Sequence, residues 1–118
     1  MNGLAQRLFD LSPMVRYVAI LDGDDLSLDE RPGLQGASAS ETDRYEEWLV
    51  NPAVLTLLQR RGNLDCGGLR HVWIRYGNFW TGLFPAPGGH VNVGLEPAAV
   101  PTEFEAAIRE CLARAGKA

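Results

Sequence analysis

Between Leu69 and Glu96 the chain reads LRHVWIRYGNFWTGLFPAPGGHVNVGLE, and its alternation leaves few folds open. In Leu69–Tyr76, residues Val72, Ile74 and Tyr76 fall on one side and His71, Trp73 and Arg75 on the other. Successive side chains leave a pleated backbone on opposite faces, so period-two alternation over such a run predicts a strand. Gly77-Asn78 interrupts it, a second apolar run follows over Phe79–Phe84, and Pro85-Ala86-Pro87-Gly88-Gly89 interrupts again. Proline cannot donate to a ladder and glycine supplies positive φ, so both interruptions read as turns. The third run, His90–Glu96, sets Val91, Val93 and Leu95 against His90, Asn92 and Gly94. Connections this short join antiparallel strands; parallel ones need crossovers of about a dozen residues.

The remaining chain reads as cover for this meander and strands beside it. Leu4, Leu8 and Leu11 share a helical face after Asn2-Gly3, and Ser12-Pro13 ends that short helix. Val15–Leu21, VRYVAIL, has the β-branched and aromatic character of a central strand covered on both faces. Asp22-Gly23-Asp24-Asp25 is a tight hairpin turn, Leu26–Glu30 the half-exposed return strand, and Arg31-Pro32-Gly33 its end. After a small-residue linker, Ser40 with Asp43 three positions on looks like the capped start of a helix. Asn51-Pro52 breaks that helix into two pieces, with Asn51 as a fresh cap, an apolar stripe of Val54, Leu57 and Leu58, and a stop at Gly62-Asn63. Thr102 and Glu105 form a second capping-box pattern before a last helix, whose buried stripe is Phe104, Ala107, Ile108, Cys111 and Leu112 and which Gly116 ends. The predicted order is helix, two strands, helix, three strands, helix: one α+β domain over residues 1–118, with a five-stranded antiparallel sheet.

Composition excludes several functions. A net charge of −4, with no basic patch, gives no electrostatic footing on nucleic acid. Ten of the eleven cations are arginine, Lys117 being the one lysine. Cys66 and Cys111 lie far apart without metal-knuckle or redox spacing, which points to two free thiols in a reducing compartment. The N-terminal stretch has neither a basic n-region nor a continuous apolar core, and no apolar run nears the roughly twenty residues of a membrane span. A soluble cytoplasmic protein is the expectation.

LDGDDLS, Leu21 to Ser27, is the segment that looks most like chemistry. A strand ending in Asp-x-Asp resembles the nucleophile loop of aspartate-based phosphohydrolases, with Asp22 attacking and Asp24 assisting the leaving group. That chemistry needs a crossover helix and a downstream lysine, and here a hairpin return strand follows instead. The same residues fail as a calcium loop, since Leu26 and Gly33 occupy the fifth and twelfth ligand positions. His71 and His90 are on different strands with no nucleophile in an elbow near either, so they read as packing residues. Cys66 has no neighbouring cation to lower its pKa, and Pro87-Gly88-Gly89-His90 has no following helix to make a phosphate loop. No catalytic residue, cofactor or metal is expected. Trp80 reads as core; Trp73, sharing its face with His71 and Arg75, and Trp48, beside Glu46-Glu47, read as core or as interface anchors.

The order of elements over essentially the whole chain resembles the roadblock/dynein light-chain family and its bacterial relatives. The residues that carry it are VRYVAILDGDDLSL, the meander from Leu69 to Glu96, and the closing EPAAVPTEFEAAIRECL. The first helix is shorter than in that family, the central helix is interrupted at Asn51-Pro52, and profilin-like and longin folds share much of the topology. The resemblance implies a sheet with the long helix on one face and the terminal helices on the other. It also implies a homodimer pairing third-strand edges and central helices, and a non-catalytic adaptor that regulates or scaffolds a Ras-like GTPase. The interface so implied comprises Trp48, Leu55, Arg70, His71, Val72, Trp73 and Arg75. A small-molecule-sensing domain of the profilin-like type is the alternative, and a phosphohydrolase using Asp22 and Asp24 the more remote one.

Overall fold

A computed structural model describes residues 3–116. Its centre is an antiparallel sheet of five strands: β1 (Val15–Asp22), β2 (Asp25–Glu30), β3 (Val72–Arg75), β4 (Trp80–Ala86) and β5 (Gly89–Leu95). They lie in the order β2-β1-β5-β4-β3. The chain lays down the β1–β2 hairpin, crosses one face of the sheet through a long helical arm to the far edge, and returns by the meander. That return places β5 beside β1, with Val18 opposite Val93 and Ile20 opposite Val91. The fold class and element order are those the alternation predicts.

Two details of the strands differ from expectation. β3 is only four residues long, because Leu69–His71 leave the ladder. β4 runs on through Pro85 and Ala86, leaving Pro87-Gly88 as a two-residue turn in which Gly88 has φ 84°. Proline is tolerated inside β4 because β3 has its last partner at Leu83, so no strand beyond it needs the missing donor. The first hairpin also closes in two residues, with Gly23 at φ 63° and no positive φ at Asp24, the type II′ pattern suited to right-twisted strands.

One face of the sheet carries the apolar core. Val18, Ile20, Phe84, Val91, Val93 and Leu95 meet Leu4 and Leu8 of α1 (Leu4–Phe9) and Ile108, Cys111 and Ala115 of the last helix. Arg31 ties α1 to the sheet, donating to the carbonyls of Val15 (2.6 Å), Phe9 (2.8 Å) and Ser12 (3.2 Å) while lying over the Phe9 ring. Asn2, expected at the entry to α1, lies outside the described residues.

The helical arm departs most from expectation. It consists of α2 (Ser40–Tyr45), a π-helical turn (Glu46–Val50) and α3 (Asn51–Asp65) without a break. Ser40 is its first helical residue and makes no side-chain cap; Ser38 bonds Asp43, and Thr42 bonds the Ala39 carbonyl. Asn51 is helical and buried, not a fresh cap. Pro52 has no N–H for the Trp48 carbonyl and its ring crowds that oxygen, so the preceding turn widens to π geometry and the helix continues. α3 passes the expected stop at Gly62-Asn63 and ends at Asp65. Gly62 is packed against the backbone of Gly68 and Leu69, and Gly67 and Gly68 take the positive φ values. The last helix, α4 (Glu105–Ala115), follows a 3₁₀ turn over Pro101–Glu103 and lacks the Thr102 cap, because Glu105 is used elsewhere. Its stripe and its end at Gly116 are as expected.

Candidate functional site

The second face of the sheet is where the helical arm settles, and it sets polar residues among the buried Ala19, Leu21 and Leu83. Leu21 is opposite His90, Ala19 opposite Asn92 and Tyr17 opposite Gly94, so His90, Asn92 and Tyr17 point toward the arm. Glycine at 94 is required there: a Cβ would lie 2.9 Å from that of Tyr17. From the arm, the π turn drives Glu47 inward until it is 0% exposed; His90 and Asn92 are each 1% exposed.

Both Glu47 oxygens are saturated. Oε1 accepts from Asn51 Nδ2 at 2.9 Å and from His90 Nε2 at 2.7 Å. Oε2 accepts from the Tyr17 hydroxyl at 2.8 Å and from Asn92 Nδ2 at 2.8 Å. A carboxylate has about four lone-pair sites, and all four are occupied. Burial works to raise the Glu47 carboxyl, but the bonds from His90, Asn51, Asn92 and Tyr17 prevail and hold it below its ordinary range. Tyr17 is pushed far upward by burial, by the Glu47 charge and by donating to it, so its hydroxyl stays protonated. A carboxylate with no spare lone pair and no solvent path cannot take a proton from a substrate. Its work is to fasten the arm to β1 and β5.

Glu46, next in the chain, is placed differently. It is partly desolvated beside Glu47 and Asp43 and in no ion pair among the described residues; burial first, then those two charges, raise its carboxyl against a hydrogen bond with Asn51.

A second polar cluster joins the other histidine to α4. His71 Nδ1 accepts from Arg109 at 2.6 Å, which can only donate, so Nε2–H donates to Glu105 Oε2 at 3.0 Å. Trp73 Nε1 donates to the same oxygen at 2.8 Å, and both rings pack against Phe84. Trp73 lies flat over Gly82, where any Cβ would collide with the indole. Neither histidine is the isolated packing residue expected from the sequence: each is held by a glutamate distant in the chain.

The residues expected at an interface separate into distinct environments. Trp48 is exposed on the outer side of the arm, and Arg70 and Arg75 are exposed, Arg75 over the Trp80 ring. Val72 is half-buried on β3, a free sheet edge, while His71 and Trp73 are engaged with α4. Leu55 is a correction, because it is buried beneath the arm with Glu47, Asn51 and Gly62. The expected stripe is inverted accordingly: Leu57 and Leu58 face outward, with Leu57 66% exposed, and Leu64 is 79% exposed. Sequence reasoning missed Glu47, which entered only as a neighbour of Trp48. The available signal was the i, i+4, i+8 series Glu47, Asn51, Leu55, one helical stripe mixing polar and apolar residues.

Asp22 and Asp24 sit at the exposed hairpin turn, where β2 follows directly with no crossover helix. Cys66 is an exposed free thiol and Cys111 a buried one. Among the described residues no group of three or more His, Cys, Asp or Glu could hold a metal ion, and no helix is long and apolar enough to cross a membrane.

No family model matches the chain, and no curated protein is significantly similar to it. What the geometry defines is therefore a class of architecture, an antiparallel five-stranded α+β domain with a helical arm clamped by a buried glutamate.

Proposed function

We propose that this protein is a non-catalytic interaction module that pairs with a second copy of itself through the outer face of its helical arm and the free edge of β3. One observation carries the reading: the arm buries Glu47 and Asn51 against the sheet and leaves six large apolar side chains exposed. Tyr45, Trp48, Leu49, Leu57, Leu58 and Leu64 are all exposed. Burying such a face is worth about 25 cal/mol per Å², and a stretch this apolar on a helix marks an interaction surface.

A second copy fits because the arm is electrically self-complementary when run antiparallel to itself. Its first half carries Glu41, Asp43 and Glu46 against one arginine, Arg44; its end carries Arg60 and Arg61 against one acid, Asp65. A two-fold axis through the arm brings each acidic half onto the partner's basic end, the isologous arrangement expected of dimers. β3, four residues long and unpaired on its outer side, is the adjoining edge that a second β3 would satisfy. The likeness to roadblock proteins adds the class of partner, a Ras-like GTPase regulated or scaffolded by the pair.

Light scattering coupled to gel filtration tests the first part. The chain should elute at twice its mass, and Leu57→Glu should return it to a monomer with an unchanged far-UV spectrum. A monomeric wild-type chain at high concentration would end the dimer reading. Affinity capture with and without a non-hydrolysable GTP analogue tests the second; nucleotide-independent recovery of the bait alone would remove the GTPase.

A further inference from the structure

We infer that the cleft between the start of the helical arm and the sheet is a binding site for a small cationic hydrogen-bond donor, an alkylammonium group, built around Asn92, Glu46, Asp43 and Glu30. This goes beyond the dimer reading: it leaves aside the exposed apolar residues of the arm and the β3 edge, and shares with that reading only the acidic charge of Asp43 and Glu46. The cleft is narrow, with a cavity volume of about 20 Å³, room for an ammonium head whose alkyl part stays in the mouth, and Arg16, Tyr17, Glu30, Asp43, Glu46 and Asn92 are among its walls.

The buried end of the cleft asks for a donor. Asn92 is 1% exposed, and its Oδ1 has no hydrogen-bond partner among the described residues. Its Nδ2 is committed to Glu47, which is not a wall of the cleft. Asn92 is itself a wall of the cleft, so the unpartnered oxygen belongs to the residue that forms its closed end. An orphaned buried acceptor costs about 1–3 kcal/mol, which an N–H from a ligand would relieve.

The mouth of the cleft asks for positive charge. None of Glu30, Asp43 and Glu46 is in an ion pair among the described residues. Arg16 is the one cation in the wall, and it is spent. Its guanidinium donates to the Gln35 carbonyl at 2.7 Å and the Asn78 carbonyl at 3.4 Å, pairs with Glu96 at 3.4 Å and covers the Phe79 ring. Three carboxylates without a counter-charge around a narrow opening attract a compact cation, and the cleft is too small for a nucleotide. The ammonium could belong to a free amine or to a lysine side chain of a partner, since both present the same N–H donors.

The test is a titration of the full chain followed by amide NMR, with ethylammonium, tetramethylammonium and sodium chlorides at matched ionic strength. Ethylammonium should give saturable shifts at the Asn92 side-chain amide and the backbone of Thr81 and Gly94, while tetramethylammonium, a cation with no N–H, should not. Glu46→Gln, which touches the buried network only through Asn51, should weaken ethylammonium at least about tenfold, the loss of one charged hydrogen bond. Asp43→Asn serves as the second variant. A lysine amide peptide that binds more tightly than ethylammonium assigns the source to a partner side chain; weaker binding assigns it to a free amine. Equal shifts with both ammonium ions, no shifts with either, or an unchanged affinity in both variants would overturn the proposal. A Leu57→Glu monomer that still binds ethylammonium separates this site from the dimer surface.

Discussion

Replacing Glu47 tests the central physical claim, that a saturated buried carboxylate fastens the helical arm to the sheet. Glu47→Ala leaves the Tyr17 hydroxyl, Asn51 Nδ2, His90 Nε2 and Asn92 Nδ2 without their acceptor in a site closed to water. Each orphaned donor costs about 1–3 kcal/mol, but the four are not additive, since the arm can lift and admit water. Removing one member of a buried charged network costs about 3–5 kcal/mol, and we take about 4. For 118 residues unfolding near 2.1 cal/mol/K per residue, that lowers Tm by about 16 °C. In urea, with a slope of about 2 kcal/mol/M, the midpoint falls by about 2 M. Glu47→Gln should fall between, because the amide keeps one acceptor oxygen while its NH₂ opposes two donors. The assay is urea unfolding followed by tryptophan fluorescence. The carboxyl is held below its ordinary range, so its stabilisation is full above the usual glutamate value of about 4.3 and is lost as pH falls through the lower folded value. Glu47→Gln should therefore flatten the acid limb of the stability profile. Both variants shifting the midpoint by less than about 0.5 M, with the acid limb unchanged, would refute the reasoning.

Three further outcomes are expected. Glu46 has the opposite sign: its raised carboxyl means the charged form is disfavoured in the fold. Glu46→Gln should raise the urea midpoint at pH 7, with the gain vanishing as pH falls and the wild-type group protonates. Gly82→Ala drives a methyl into the Trp73 ring, so it should cost about 1–3 kcal/mol and shift tryptophan emission as the indole leaves Glu105; an unchanged spectrum would contradict that packing. Leu57→Glu should leave monomer stability within about 0.5 kcal/mol, since Leu57 is exposed, while abolishing self-association in sedimentation velocity.

The sheet was legible in the sequence because its signals are local. Alternation in Val72–Tyr76 and His90–Leu95 reports the backbone period directly, and Asp22-Gly23 and Pro87-Gly88 state where the chain reverses. The two sides of β5 were assigned correctly from alternation alone. Nothing in those residues says that the side bearing His90 and Asn92 is buried, however. That depends on the arm, forty residues earlier in the chain, delivering a carboxylate to them.

The arm was misread for the same physical reason. Local pattern places Leu57 and Leu58 inside and Glu47 outside, since apolar burial is the default. The tertiary structure reverses this because Tyr17, His90 and Asn92 on the sheet face beneath the arm, together with Asn51 of the arm itself, satisfy all four lone pairs of one carboxylate. Capping patterns at Ser40 and at Thr102–Glu105 failed likewise: Asp43 found Ser38, and Glu105 found His71 and Trp73. The sequence by itself determined the strands, their turns and which residues share a side, which are properties of a few adjacent residues. Only the tertiary structure decided which polar groups are buried, because a charge is buried wherever distant partners can satisfy it, and those partners are brought together by the fold.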